Sequence, residues 1–342
     1  MPNQTQDKAA ALWPTEKRPG LFRSPRGMWR ILIGRHEIIA FVLLLVIGAF
    51  LSLRTDIFFT WNNLSNIWRA FSWIAIAAFG ESMVIIIGGI DLSVGAVMAL
   101  AGLISALGLE ASLPVPLAAV AGLLTGGLVG WVNGTLVGRV RLPPFIVTLG
   151  MMSLARGIAI GLTGGWPVRN LPQGFRTLGQ HNLLLGSLPL PLPVLFMLGL
   201  AVLLSLLMSK TVLGSYIYTL ASNERALLTS GVNVVQIKVL VYTLCGVLTA
   251  IGGLLMTARL GVAAPTAAVG YELDIIAAAV IGGTSLFGGE GSVLGVLLGA
   301  AVMQMVRNGL VLLGFSVYWQ TAALGIMILA FILLDHWRRQ IR

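Results

Sequence analysis

The stretch Lys210–Lys238, KTVLGSYIYTLASNERALLTSGVNVVQIK, stands between two apolar runs, Leu192–Met208 and Val239–Met256. Each run is long enough to cross a bilayer core as a helix, which takes about 20 residues. The stretch between them is polar, carries Lys210, Glu224, Arg225 and Lys238, and has Gly231 just after a helix-forming run. It is long enough for a short helix of its own. A polar segment of this size between two spans needs a reason, and the reading adopted here is that another protein grips it.

The composition agrees with spans. Of the 342 residues, 57% are hydrophobic and 10% charged, against roughly 25% charged in a soluble domain. The mean hydropathy is +0.93. Most of the surface therefore does not face water, and the fold class is an all-α polytopic membrane protein. The long apolar runs lack the alternation of a transmembrane barrel. The net charge of +10 would suggest nucleic acid in a soluble protein. No basic face is interleaved with base-stacking aromatics, so no nucleic-acid partner is expected, and loops on the cytoplasmic side account for the charge. The single cysteine, Cys245, rules out an internal disulfide.

About ten spans follow, near 37–53, 71–88, 92–108, 115–137, 144–163, 189–208, 236–257, 272–284, 291–313 and 320–335. The eighth is too short to cross unaided and reads as a broken or tilted span packed in protein. With the N-terminus inside, the inner segments hold fifteen Lys and Arg and the outer segments hold five, Arg54, Arg69, Arg169, Arg176 and Arg259. That asymmetry places both termini in the cytoplasm and requires an even number of spans. The organisation is a basic lead-in over 1–36, a transmembrane domain over 37–335 with a cytoplasmic loop over 210–238, and a basic tail over 336–342. The lead-in has no apolar core with a cleavage site, so it is not a signal peptide. Trp61 and Trp68, in the first outer loop, read as interface residues. The outer segment Gly164–Leu188 is either a cap or a plain connector.

Ionisable and polar groups near span depth are candidates for the pathway or for helix breaks. Glu81 lies mid-span. Asp91 follows Gly88 and Gly89 and reads first as an N-cap, second as a pathway contact; the same applies to Thr284 and Ser285 after Gly282 and Gly283. Glu272 and Asp274 open the eighth span, where the helix dipole favours acids. Arg156 and Arg307 fall within spans without a partner that the sequence identifies. Ile85–Gly95, IIIGGIDLSVG, is similar to Val280–Gly291, VIGGTSLFGGEG, which hints at an internal duplication. No catalytic constellation and no metal-ligand cluster stand out, and there is no GxxxxGK[ST] loop. If the chain pumps, the energy enters from elsewhere.

The blocks GGIDLSVGAVMALAG, LPPFIVTLGMMSLARGIAIGLTGG, GSYIYTLASNERALLTSGVNV, IKVLVYTLCGVLTAIGGLLMTARL, PTAAVGYELDIIAAAVIGGTSLFGGEGSVLG and NGLVLLG resemble the permease subunits of ribose-type sugar importers of the ATP-binding cassette class. The resemblance runs from about residue 38 to 335. It implies a bacterial inner-membrane, multi-pass subunit that moves a monosaccharide by alternating access. It also implies the partners: a second permease in a homodimer or heterodimer, cytoplasmic ATPase subunits and an extracytoplasmic sugar-binding protein, within membrane lipid. The chain would need no cofactor, ATP being used by the partner ATPase. The family's coupling helix falls on Asn223, Glu224, Arg225, Ala226 and Gly231. The general importer pattern has Ala where Arg225 stands, and its Gly one position earlier. Two alternatives remain: a permease of the same superfamily for a branched-chain amino acid, nucleoside or furanone-type signal, and an ion-coupled secondary transporter.

Overall fold

The computed structural model describes residues 36–186 and 188–341. The basic lead-in to residue 35 and Arg342 of the tail lie outside the described residues. In chain order the elements are α1 (His36–Arg54), α2 (Trp61–Ile86), α3 (Val94–Glu110), α4 (Val115–Gly138), α5 (Pro144–Thr163) and α6 (Gln173–Gln180). A hairpin of β1 (Asn182–Leu185) and β2 (Leu188–Pro191) follows. Then come α7 (Leu192–Lys210), α8 (Val212–Ser222), α9 (Glu224–Thr229), α10 (Val234–Leu260), α11 (Tyr271–Ile281), α12 (Val293–Leu312) and α13 (Val317–Ile341). Each of the ten expected spans falls on one helix: α1 to α5, α7 and α10 to α13.

Among the described residues, seven helices are long and apolar enough to cross a membrane: α1, α2, α4, α5, α7, α10 and α12. Helix α11 has 11 residues and rises only ~16 Å, about half of a ~30 Å hydrocarbon core. Non-helical backbone follows it, between Ile281 and Val293. Burial ranks the helices. In α2, 89% of the apolar window is buried, against 17% in α1, so α2 is the axis of the bundle and α1 lies on its rim.

Helix α2 starts ten residues before the expected span. Asn62, Asn63, Asn66 and Arg69 read as loop, yet they lie on the helix, because three of them have polar partners on other elements. Asn63 Nδ2 donates to Asn308 Oδ1 on α12 (3.2 Å), and Asn308 Nδ2 donates back to Asn63 Oδ1 (2.8 Å). Arg69 donates to Asn182 Oδ1 at 2.6 Å, and Arg259 donates to Asn66 Oδ1 at 2.9 Å. Trp61 and Trp68, two turns apart on this helix, stack edge to face with centroids 5.4 Å apart. The segment Gly164–Leu188 folds as α6 and most of the hairpin, tied down by the Val168–Ala263 bridge. The hairpin is the one departure from an all-α chain among the described residues.

The closest seam joins α4 to α10. Gly122, Gly126, Gly130 and Gly134 recur every fourth residue and form a flat ridge, so backbone meets backbone. A Cβ at Gly126 would sit 2.6 Å from the Ala250 Cβ, whereas one at Gly127 meets only the Val247 Cγ2, at 3.3 Å. Gly126→Leu must therefore part the two helices, at the upper end of the ~1–3 kcal/mol that overpacking typically costs. The expected outcome is loss of monodisperse protein in mild detergent, with Gly127→Ala retained at the parent yield. Equal yields for the two would refute the seam.

The two similar segments end their helices identically. Ile87, Gly88 and Gly89 donate to the carbonyls of Met83, Ile85 and Val84; Gly282, Gly283 and Thr284 donate to those of Ala278, Val280 and Ala279. Gly88 and Gly283 take φ of +83° and +91°, which glycine adopts without a Cβ penalty. The same pattern closes α3, α9 and α12, so it is a local helix-ending device, and it does not argue for duplication.

Candidate functional site: the junction of the two helix breaks

The loop over 210–238 folds as two short helices. Thr211 Oγ1 accepts the Gly214 N–H (3.2 Å) and starts α8. Asn223 breaks it and caps α9, its Oδ1 accepting the Ala226 N–H at 3.0 Å. Glu224 opens α9, where the helix dipole favours an acid, and both its oxygens accept from Lys238 Nζ, at 3.1 and 3.3 Å. Lys238 thus belongs to the local structure of α9, although by sequence it reads as an ordinary inner-loop charge. Gly231 ends the helix at φ +77°, with no atom within 4 Å of where its Cβ would stand. Its requirement is conformational only. Leu227 is the buried anchor, while Arg225 and Leu228 are exposed.

Helix α8 bears on the junction of the two helix breaks. Tyr218 Oη donates to Gly291 O at 2.8 Å; burial pushes this phenol up from its ordinary value, so it acts as a neutral donor. The second break loop meets the first through Gly289 N–H donating to Ile86 O (2.9 Å). A Cβ at Gly288 would sit 2.5 Å from the Ala221 Cβ and 2.9 Å from Ile86 O. Three segments, α8, the first break and the second break, therefore meet at one point. Beside it opens a cavity of about 670 Å³ between α9, the Arg141–Pro144 turn and the Ile87–Gly89 break, with Phe287 and Tyr242 on its wall.

Below the cavity lies a buried acidic pair. Glu81 is 0% exposed and Asp91 3%. Glu81 Oε1 accepts the Asp91 N–H at 3.0 Å. Asp91 Oδ1 accepts from Ser93 N–H (2.8 Å) and from the Ser93 hydroxyl (2.5 Å), and Oδ2 from Asn133 Nδ2 (3.3 Å). The N-cap reading of Asp91 is corrected here. The residue preceding α3 is Ser93, and Asp91 closes an Asx turn onto it. Tyr242, directly beneath Gly89, and Asn133 join this cluster; an intramembrane Asn in α4 was a readable signal that the sequence analysis passed over.

Thr284 and Ser285 also are not the N-cap of the following helix. That residue is Ser292, whose Oγ accepts the Gly295 N–H (3.0 Å) and donates to Glu37 Oε1 (2.7 Å). Thr284 and Ser285 instead shape the second break loop: Ser285 N–H donates to Glu290 O (3.0 Å), and Ser285 O accepts the Gly288 N–H (2.9 Å). Glu272 and Asp274 lie at the other end of the bundle, in the first turn of α11. Asp274 pairs with Arg307, whose guanidinium also lies 5.2 Å from the centroid of the Tyr271 ring. Arg156 donates to Pro265 O (2.8 Å) and Ala267 O (2.7 Å) and so holds the turn before α11. The residues singled out by sequence thus form three groups along the bundle: the junction of the two breaks at one end, the central acidic pair, and the turn before α11 at the other end.

A family model described as the branched-chain amino acid transport system / permease component matches residues 63–332. The chain is 43% identical to the ribose import permease protein of Escherichia coli (strain K12), over 86% of this chain and 92% of that one. It is 36% identical to the D-allose transport system permease protein of the same organism, over 86% and 90%. To the fructose import permease protein of Rhizobium meliloti it is 34% identical, over 88% and 85%. No solved structure matches the chain.

Proposed function

Because the chain belongs to the permease-component family of the branched-chain amino acid transport system, we propose that it is the membrane subunit of a monosaccharide importer whose energy comes from a separate ATPase. The observation that carries the sugar reading is the 43% identity to a ribose import permease over nearly the full length of both chains, with allose and fructose permeases beside it. Two copies, or this chain and a second permease, enclose the pathway in the bacterial inner membrane. A binding protein delivers the sugar from outside, and ATP is consumed on the partner subunits.

The proposed working stroke runs through the inner junction. Closure of the ATPases displaces α9, whose exposed Arg225 and Leu228 are the contact, with Glu224 at its start. Helix α8 moves with it. Tyr218 carries the displacement to the second break loop, and the Gly289 to Ile86 bond carries it to the first. The nucleotide state thereby biases the bundle between outward- and inward-open arrangements through differential contacts at α8 and α9. Asp91, Glu81, Thr284 and Ser285 set the shape of the break loops in this reading, while Glu272 and Asp274 set the outer turn.

The test is uptake of radiolabelled ribose into proteoliposomes holding this chain, the ATPase and the binding protein. ATP-dependent accumulation that requires all three is expected. Accumulation driven by an ion gradient without the ATPase would overturn the reading in favour of a secondary transporter. The family description itself motivates a second cargo class, branched-chain amino acids. Binding of an amino acid and no sugar by the cognate binding protein would select it.

A further inference from the structure

Arg69, Arg176 and Arg259 come from three separate elements, α2, α6 and α10, and meet around one residue, Gln180. Arg69 donates to Gln180 O (3.4 Å) and Asn182 Oδ1 (2.6 Å). Arg176 donates to Gln180 Oε1 (3.3 Å), and Gln180 Nε2 donates to Arg259 O (3.0 Å). Arg259 in turn donates to Asn66 Oδ1 (2.9 Å). Helix α6 lies tight against the end of α10 because Gly179 has no side chain: a Cβ there would stand 2.7 Å from Arg259 Cα.

Every acceptor in this cluster is a neutral amide oxygen. Among the described residues the ion pairs are Lys238–Glu224 and Arg307–Asp274, so no carboxylate compensates these three charges. Arg69 is only 9% exposed and within Coulombic range of Arg259. The Nε atoms of Arg69 and Arg176 are both buried without an acceptor. Uncompensated, partly buried guanidinium groups that repel one another are costly to hold together. Such groups present forked donors suited to carboxylates. Exposed Asn62, Asn66 and Gln173 flank the cluster together with exposed Leu184 and Leu260, and it is the three uncompensated charges that suit an acidic aqueous partner.

We propose that the Arg69–Arg176–Arg259 cluster receives carboxylates on the surface of the extracytoplasmic binding protein. The inference rests on the importer reading and on its orientation, which puts the ends of α6 and α10 outside. Docking then supplies the counter-charge that the chain lacks, and it does so at the end of α10, the helix whose other end holds Lys238 against α9.

The experiment measures the affinity of the ribose-loaded binding protein for the complete importer, permease and ATPase together, in nanodiscs at low and high salt. The double variant Arg176→Gln/Arg259→Gln is expected to weaken binding at least ~tenfold and to flatten the salt dependence, because screened charge pairs are what it removes. Arg169→Gln removes an exposed charge from the same side and is expected to bind within about twofold of the parent, as a rim charge does. Equal affinities for parent and double variant overturn the inference, as does an Arg169→Gln loss as large as that of the double variant. A lipid headgroup as occupant would also overturn it. Its signature is a difference between parent and double variant that vanishes when phosphatidylglycerol is left out of the nanodisc. If the parent importer binds no binding protein at all, the importer reading fails, a result distinct from each of these.

Discussion

Gly288→Val is expected to abolish ATP-driven uptake while the protein still inserts and purifies. The position combines two demands. Its φ of +81° costs a β-branched residue ~1–2 kcal/mol, and its Cβ would press on Ala221 of α8 and on Ile86 O of the first break. The side chain can be accommodated only if α8 and the two breaks part, which removes the proposed route of the stroke. Gly289→Ala separates the two effects. That glycine has φ +79°, yet its nearest neighbour would be Tyr218 O at 3.9 Å. It carries the strain without the collision and is expected to reduce uptake only a few-fold, within the ~tenfold that 1.4 kcal/mol represents. Uptake assays on matched amounts of inserted protein decide it. If Gly288→Val transports as well as Gly289→Ala, the three-way contact plays no part in transport.

Glu224→Lys is expected to eliminate both sugar uptake and sugar-stimulated ATP hydrolysis. It sets two ammonium groups against each other, since Lys238 Nζ lies 3.1 Å from the native carboxylate. The pair is too exposed for its loss to unfold the protein: the Glu224 side chain is 48% accessible, and such pairs contribute ~0–1 kcal/mol. A large functional loss therefore points to a missing contact with the ATPase. The charge swap Glu224→Lys/Lys238→Glu distinguishes the two roles. It restores the ion pair but not an acid at the start of α9, and it is expected to stay inactive. Recovery in the swapped protein would assign Glu224 to holding α9 on α10 and would leave the docking contact to Arg225 and Leu228 alone.

The sequence exposes the features that depend on composition along the chain. Ten apolar runs, the shortness of the eighth, and the glycine-paired helix ends are all local, and each has its counterpart in a helix or a break. The beginning of α2 was hidden because its polar residues are satisfied from far away. Asn63 finds Asn308, and Arg69 finds Asn182; neither pairing leaves a mark on the neighbouring sequence. The same holds at the site. Asn223 and Gly231 act through their own helix and were readable. An acid after two glycines has the local appearance of a cap, whereas Glu81 and Asn133, which hold Asp91, come from other helices. Ser292, the residue that does cap α12, was overshadowed by the more conspicuous Thr284 and Ser285.

The bond from Gly289 N–H to Ile86 O bears on biogenesis. It joins backbone made early to backbone made late, with six of the helices that match expected spans, α3, α4, α5, α7, α10 and α11, lying in the interval. While the chain is emerging from the ribosome, the carbonyl that ends the central helix has no partner until residue 289 arrives. A nascent chain halted after α10 would thus carry an unfinished first break at the heart of its bundle. The end of the bundle where the two breaks meet therefore acquires its final form late in synthesis.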